Sequence, residues 1–146
     1  MGSDGAASLQ ITVFSFAKTD DVWYVDTECI TRPGDYIGIA ERVADMSGGR
    51  LALSDLEDHV DVEAGTAWLA FKVGDRHYKW DLKVNDDWVD PEVFVRLDEV
   101  LQEHVPGVRL IYYDLGGQDC LVLMGDAIRL EQLRAATGLD FLWMTH

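Results

Sequence analysis

The chain has 146 residues, of which 27 are acidic and 12 are Lys or Arg, so its formal charge is −15. Nearly half of the residues (48%) are apolar, which is too many for a disordered acidic tail. The longest apolar runs are far shorter than the roughly 20 residues that a membrane-spanning helix needs, and two cysteines are too few for a disulfide scaffold.

These limits predict one cytoplasmic domain over residues 9–146. It follows a leader, residues 1–8, which lacks the basic segment and the apolar core of a signal peptide.

The negative charge is unevenly distributed. Residues 1–65 carry a net charge of −9, residues 66–90 a net charge of −1 and residues 91–146 a net charge of −5. Such a field repels phosphate groups, so nucleic-acid and membrane partners are not expected, whereas a basic protein partner would be attracted. Solubility alone is the other explanation of this charge.

The first third of the chain predicts two strands and a helix. Alternating β-branched and aromatic residues predict strands over Leu9–Ala17 and Val22–Ile30. Apolar residues at helical spacing predict a helix over Tyr36–Ser47, which begins at an Asp35 cap and ends at Gly48.

The middle of the chain predicts strands. Leu51–Leu53 indicates a short strand, and Ser54–Glu63 indicates either an acidic edge strand or a loop. Thr66–Val73 and Arg76–Val84 flank Gly74-Asp75, a pair typical of a two-residue hairpin turn. The strand after this turn alternates between an apolar face and a polar face, formed by Tyr78, Trp80, Leu82 and Val84 and by His77, Lys79, Asp81 and Lys83 respectively.

A second helix is expected after a loop at Asp86–Val89. Asp90 is a typical N-cap, Pro91 suits the first helical position, and Val105-Pro106-Gly107 ends the helix. Its apolar stripe consists of Val93, Phe94, Leu97, Val100 and Leu101.

The last part of the chain predicts three strands and one helix. The strands are Val108–Leu115, Cys120–Met124 and Leu139–Met144, and the helix is Asp126–Thr137 with Gly138 at its end. Hairpins therefore outnumber βα units, which predicts an α+β fold: a mainly antiparallel sheet with about three helices packed on it.

The sequence lacks the short signatures of common enzymes and metal sites. GxGxxG, P-loop, HExxH, CxxC, GxSxG and EF-hand patterns are all missing, so we predict no catalytic residue, metal ligand or cofactor.

Two acidic groups are candidates for binding a protein partner. The first consists of Asp55, Glu57, Asp58, Asp61 and Glu63. In an extended chain alternate members line one side, which fits a solvated face, a protein contact or a cation site. The second consists of Asp86, Asp87 and Trp88, where Trp88 is either an exposed anchor or packed over the start of its helix.

The two cysteines have simpler explanations. Cys29 and Cys120 each fall in a predicted strand, where a buried thiol packs as a small apolar group, although a disulfide between them stays open. Cys120 follows a Gly-rich turn, and a thiol there acts as a nucleophile only when a His activates it.

The last 65 residues resemble small acidic bacterial immunity-type proteins. The resemblance rests on WDLKVNDDWVDPEVFVRLDEVL and IYYDLGGQDCLVLM, followed by a short helix and a terminal strand. Immunity-type proteins are encoded beside toxins and neutralise them by binding. The resemblance implies a non-enzymatic inhibitor of a toxin domain, often a basic one, and assigns no residue.

Three functions follow from these observations. The preferred one is an immunity-like protein that binds a basic partner through an acidic surface with aromatic anchors, as a monomer or a homodimer. The second is a small enzyme or ligand-binding domain with a pocket between sheet and helices, lined by His77, Tyr78 or Tyr112. The third is a structural or adaptor homodimer.

Overall fold

The computed structural model describes residues 22–145 of the chain. In this range three helices and eight strands form an α+β fold with antiparallel sheets, as predicted. The strands divide between two four-stranded sheets, whereas the sequence pattern predicts a single sheet. The predicted strand Leu9–Ala17 and the leader at 1–8 lie outside the described residues.

The elements follow one another as β1 (Val22–Asp26), α1 (Asp35–Met46), β2 (Ser54–Asp61), β3 (Thr66–Val73), β4 (Arg76–Asn85), β5 (Trp88–Val89), α2 (Glu92–His104), β6 (Arg109–Gly116), β7 (Asp119–Gly125), α3 (Ala127–Thr137) and β8 (Leu142–Trp143). None of these three helices has both the length and the apolar character that a bilayer crossing demands.

The described chain forms two compact units. One comprises residues 22–26 and 106–145 and contains the sheet of order β1-β7-β6-β8 with α3. The other is Thr27–Val105 and contains the sheet of order β2-β3-β4-β5 with α1 and α2. The prediction of one domain over residues 9–146 stays a prediction.

In the first unit, α3 packs on one face of its sheet. Asp126 caps the helix, since its Oδ1 accepts a hydrogen bond from the Arg129 backbone N–H at 2.9 Å, and Gly138 ends it with a φ of 69°. The core contains Val22, Ile111, Leu121, Leu123, Leu130, Leu133 and Phe141. Helical spacing predicts that Ile128, Leu130, Leu133 and Ala136 form one apolar stripe, but only Leu130 and Leu133 are buried, whereas Ile128 (68%) and Ala136 are exposed.

Two strands of this region are shorter than predicted. The strand expected over Val22–Ile30 ends at Asp26, because the next residues bond elsewhere: the Thr27 carbonyl accepts from Val89 N and Ile30 N donates to the Asp87 carbonyl. Cys29 therefore follows the strand instead of lying in it. The strand expected over Leu139–Met144 is reduced to β8, because the chain bends where Phe141 N bonds the Leu139 carbonyl.

In the second unit, the β3–β4 hairpin has the predicted boundaries to within one residue. Its turn is Gly74-Asp75, and the positive φ of 58° falls on Gly74. The apolar face of β4 is buried at Trp80, Leu82 and Val84, as the alternation predicts. A loop was predicted over Asp86–Val89. Its last two residues instead form β5, which pairs with the end of β4.

The helices of this unit bury the predicted stripes. The buried residues are Val93, Phe94, Leu97, Val100 and Leu101 of α2 and Tyr36, Ile39, Ala40 and Val43 of α1. Met46, the last residue of the predicted α1 stripe, is only half-buried. Asp90 accepts a hydrogen bond from Glu92 N, but the N-cap of α2 is Pro91, one residue later than predicted, and the helix begins at Glu92. Asp35 is not the cap of α1, because its Oδ2 accepts from the Thr31 and Arg32 backbone N–H groups before the helix.

Leu51–Leu53 is not a strand. Leu51 N donates to Ser47 Oγ at 2.9 Å, and that hydroxyl donates to the Ala44 carbonyl, so this segment is tied to the end of α1. The uncertain stretch after it becomes β2, an edge strand in the described sheet, which was one of its two predicted forms.

Candidate functional site

The sheet β2-β3-β4-β5 has one apolar face and one polar face. Cross-strand partners share a face, so the register places Leu69 and Trp80 together on the inner face and Trp68 and Asp81 together on the other. We call the second side the outer face. Its residues are Glu57, His59 and Asp61 of β2, Thr66, Trp68, Ala70 and Lys72 of β3, His77, Lys79, Asp81 and Lys83 of β4, and Trp88 of β5.

Trp68 lies at the centre of the outer face and is held on two sides. The His59 ring stacks on it at 6.3 Å between centroids with an interplanar angle of 20°. Lys79 Nζ lies 4.6 Å from its ring centroid, a cation–π contact worth about 0.5–1 kcal/mol at an exposed site. These contacts fix a half-buried indole in a polar surface.

Lysines are concentrated on this face. The chain has four lysines, and three of them, Lys72, Lys79 and Lys83, lie here. They alternate with the acids Glu57, Asp61 and Asp81. The centre of the face is therefore mixed in charge, in contrast to the net charge of −15.

A shallow depression of about 500 Å³ lies in this surface beside the small side chain of Ala70. Its other lining residues are Asp55, Leu56, Glu57, Phe71, Lys72, His77, Tyr78 and Lys79. The pocket predicted between sheet and helices would contain His77, Tyr78 or Tyr112. Here His77 and Tyr78 line a depression that is open to solvent, and Tyr112 lies on β6 in the other unit.

The predicted acidic stretch is divided between three environments. Asp58 points to the inner face and its carboxylate binds the start of α1: it accepts from Gly34 N at 2.8 Å and from Tyr36 N and Ile37 N at 3.1 Å. Three backbone N–H groups and the positive end of the helix dipole therefore stabilise this charge. Asp58 has a role within the fold that its sequence context does not reveal.

Asp55 and Glu57 lie at the end of the sheet where β2 begins. Asp55 has a φ of 51° at a bulge, and its Oδ2 lies 3.8 Å from Lys72 Nζ. Glu57 is exposed on the outer face. At this end of the sheet an acid, Asp55, is therefore paired with a lysine, Lys72.

The other end of the sheet brings together the rest of both predicted groups. Asp61 pairs with Thr66, and Thr66 with Lys83, so the end of β2 lies level with the end of β4. Glu63 lies in the turn after β2, and Asp86 and Asp87 lie in the turn after β4. We call Asp61, Glu63, Asp86 and Asp87 the acidic end.

Trp88 stands beside the acidic end. It pairs with Asn85, which places it on the outer face, and it is 37% exposed. It is therefore displayed at the surface. Two strand spacings separate β2 from β4, roughly 10 Å, which is about one Debye length at physiological salt. The carboxylates at this end therefore act together on an approaching cation, although Lys83 lies at the same end.

A separate polar cluster surrounds Tyr78 beside the β3–β4 turn. Tyr78 Oη lies 2.7 Å from His104 Nε2 and 3.2 Å from Glu103 Oε2, and Arg76 forms an ion pair with Glu103. Burial raises the pKa of Tyr78, and the negative charge of Glu103 raises it further. A phenol with a raised pKa is a weaker acid and keeps its proton, and its contacts with Glu103 and His104 connect β4 to α2.

The described residues show neither a metal centre nor a disulfide. Between residues 22 and 145 no three His, Cys, Asp or Glu side chains are placed to hold one cation. Cys29 and Cys120 are both thiols and both half-buried.

Sequence reasoning missed the environment of Trp68. It identified the polar face of β4, which includes Lys79 and Asp81, but the contacts of Trp68 depend on the pairing of β2, β3 and β4. The sequence did contain one signal, the alternation of β3. It places Trp68 on the face of the sheet opposite to the one that carries Ala67 and Leu69. Comparisons with protein-family models, with curated proteins and with solved structures found no match.

Proposed function

We propose that this chain is a non-enzymatic binding protein that blocks a basic protein partner, in the manner of an immunity protein and its toxin. The observation that carries the proposal is the exposure of Trp88 directly after Asp86 and Asp87, at the end of the sheet where β2 also carries Asp61 and Glu63. An aromatic ring among carboxylates suits a lysine or arginine side chain, which gains a cation–π contact and ion pairs at one position.

The charges give this surface a role in association. A chain of net charge −15 attracts a basic domain from a distance, and steering of this kind raises association rates. Exposed ion pairs contribute little to affinity, so most of the binding energy is expected from the aromatic anchors Trp88 and Trp68.

The outer face is too small to form the whole interface. Strand spacing and rise per residue give it a projected area of roughly 500 Å², whereas a specific interface takes about 800 Å² from each partner. The partner therefore also contacts residues beside the sheet.

The direct test is binding to the basic protein encoded by the neighbouring gene, measured by calorimetry at low and high ionic strength. We expect Trp88→Ala to weaken binding about thirtyfold, the effect of losing a hot-spot residue of about 2 kcal/mol. Tyr24→Ala is the matched control, because Tyr24 is also an exposed aromatic residue (46%) but lies in the other unit.

Two results would contradict the proposal. One is the absence of binding at low ionic strength. The other is equal binding by wild type and Trp88→Ala. Sedimentation of the free chain at two concentrations distinguishes a monomer from the homodimer that the sequence left open.

A further inference from the structure

Strand β2 has a free edge in the described part of the second unit. It pairs with β3 on one side, and no described strand lies on its other side. The strand pairs in regular register over Glu57–Asp61, beyond the bulge at Asp55, and this edge presents backbone N–H and C=O groups that another extended chain can pair with.

A groove runs between α1 and the start of this strand. Its volume is about 490 Å³, and one wall is a stripe of α1 formed by Gly38, Glu41, Arg42, Ala44 and Asp45. The other wall carries Leu53 and Leu56, both half-buried. A Cβ built on Gly38 would meet no atom within 4 Å, so the helix leaves space there.

Acidic side chains flank the free edge on both sides. Glu57 and Asp61 lie on the outer face, and Glu41 and Asp45 are exposed on the helix side. Residues of an added strand would alternate between these two sides. Basic residues would meet carboxylates on each side, and an apolar residue would meet Leu53 or Leu56.

We propose that the partner adds an extended basic segment to the edge of β2, with alternate side chains entering the groove beside α1. This inference rests on the proposed function and specifies how the partner binds. A second copy of this chain does not fit, because pairing β2 with itself would bring carboxylates close to one another, and like charges across strands are destabilising.

The test uses a labelled peptide of about ten residues with alternating Lys and Val, long enough to pair with one strand. Two further peptides carry N-methyl groups on alternate backbone amides, in one phase or the other. Only alternate residues of an added strand bond the edge, so one phase should bind like the parent peptide and the other at least tenfold more weakly. Fluorescence anisotropy measures all three affinities.

The groove is tested by the double variant Glu41→Lys and Asp45→Lys. Both positions are exposed on α1, so folding should be retained, and we expect a loss of about tenfold in peptide affinity. The matched control is Asp75→Lys with Glu99→Lys, two exposed positions that change the charge equally outside the groove.

Three outcomes would overturn strand addition: equal binding by both methylated peptides, no saturable binding by any peptide, or equal effects of the groove and control variants. Loss of partner binding in Trp88→Ala together with equal binding of both methylated peptides would refute strand addition and support the proposed function. Phase-dependent peptide binding without binding of the neighbouring gene product would support strand addition and refute that choice of partner.

Discussion

The carboxylate of Asp58 lies 2.8 Å from the backbone nitrogen of Gly34, although the two residues are 24 positions apart. The same carboxylate accepts hydrogen bonds from two further N–H groups in the first turn of α1. A side chain of β2 therefore accepts the hydrogen bonds that a local N-cap residue accepts in most helices. These bonds also connect α1 to the edge strand.

Asp58→Ala should destabilise the second unit by about 2 kcal/mol. The substitution removes a charged acceptor from three N–H groups and from the positive end of the helix dipole, effects that are each worth about 1 kcal/mol. Urea unfolding, followed by circular dichroism, measures this change. The control is Glu57→Ala, the adjacent exposed residue, for which we expect less than about 0.5 kcal/mol. Equal effects of the two variants would show that the cap contributes nothing.

The Tyr36 hydroxyl joins two other segments to α1. It donates to the Lys83 carbonyl at 2.6 Å and accepts from Asp90 N at 2.8 Å, and the side chain is fully buried. Tyr36→Phe should cost about 1–2 kcal/mol, since it leaves buried backbone groups without their partner. Tyr24→Phe is the control, because it removes only an exposed hydrogen bond to Asp119 and should cost far less than Tyr36→Phe.

The same hydroxyl predicts a loss of stability at alkaline pH. Burial raises the pKa of Tyr36 from 10.0 to about 12. The unfolded state therefore loses this proton at lower pH than the folded state, so the contribution is intact below pH 10 and is lost between pH 10 and about 12. Urea titrations over this range should show a smaller decline for Tyr36→Phe than for wild type. Parallel declines would exclude this linkage.

Two tryptophans on opposite faces of the second sheet should respond differently to truncation. Trp80 is buried on the inner face and packs edge-on against Phe71 at 5.2 Å, so Trp80→Ala should cost about 3–5 kcal/mol. Trp68→Ala should cost only about 1 kcal/mol, because it loses one stacking and one cation–π contact. Thermal unfolding compares the variants, and a larger loss for Trp68 would contradict the assignment of the two faces.

Local patterns predicted the parts of the fold whose determinants are close in sequence. The β3–β4 hairpin follows from alternation on both sides of Gly74-Asp75. The α2 stripe follows from helical spacing, and the Asp126 cap from its position before α3. Each depends on residues that lie within a few positions of one another.

The remaining features depend on contacts between distant residues. A strand of two residues such as β5 has no periodicity to detect. The division into two sheets is a matter of strand pairing, which the composition of single strands leaves open. For the candidate site, the residue types were predicted, but the placement of Asp61 and the Asp86–Trp88 segment at the same end of the sheet required the register.

Two aspartates in the turn between β4 and β5 allow the effect of charge at the acidic end to be measured separately from the effect of backbone geometry. Asp86 has a φ of 57°, a conformation that costs most side chains about 1–2 kcal/mol and glycine nothing. Asp86→Gly should therefore leave stability unchanged or raise it slightly, and Asp86→Val should lower it by about 1–2 kcal/mol. Urea midpoints measure both variants.

The neighbouring Asp87 provides the contrast, because its φ is not in this positive region. Asp87→Gly removes the same charge but should lower stability by about 0.5–1 kcal/mol through added chain entropy. Both glycine variants should slow association with the basic partner to a similar degree, since each removes one carboxylate from the acidic end. A stability loss in Asp86→Gly as large as in Asp87→Gly would refute the left-handed turn. Slower association in only one variant would show that the two carboxylates do not act together.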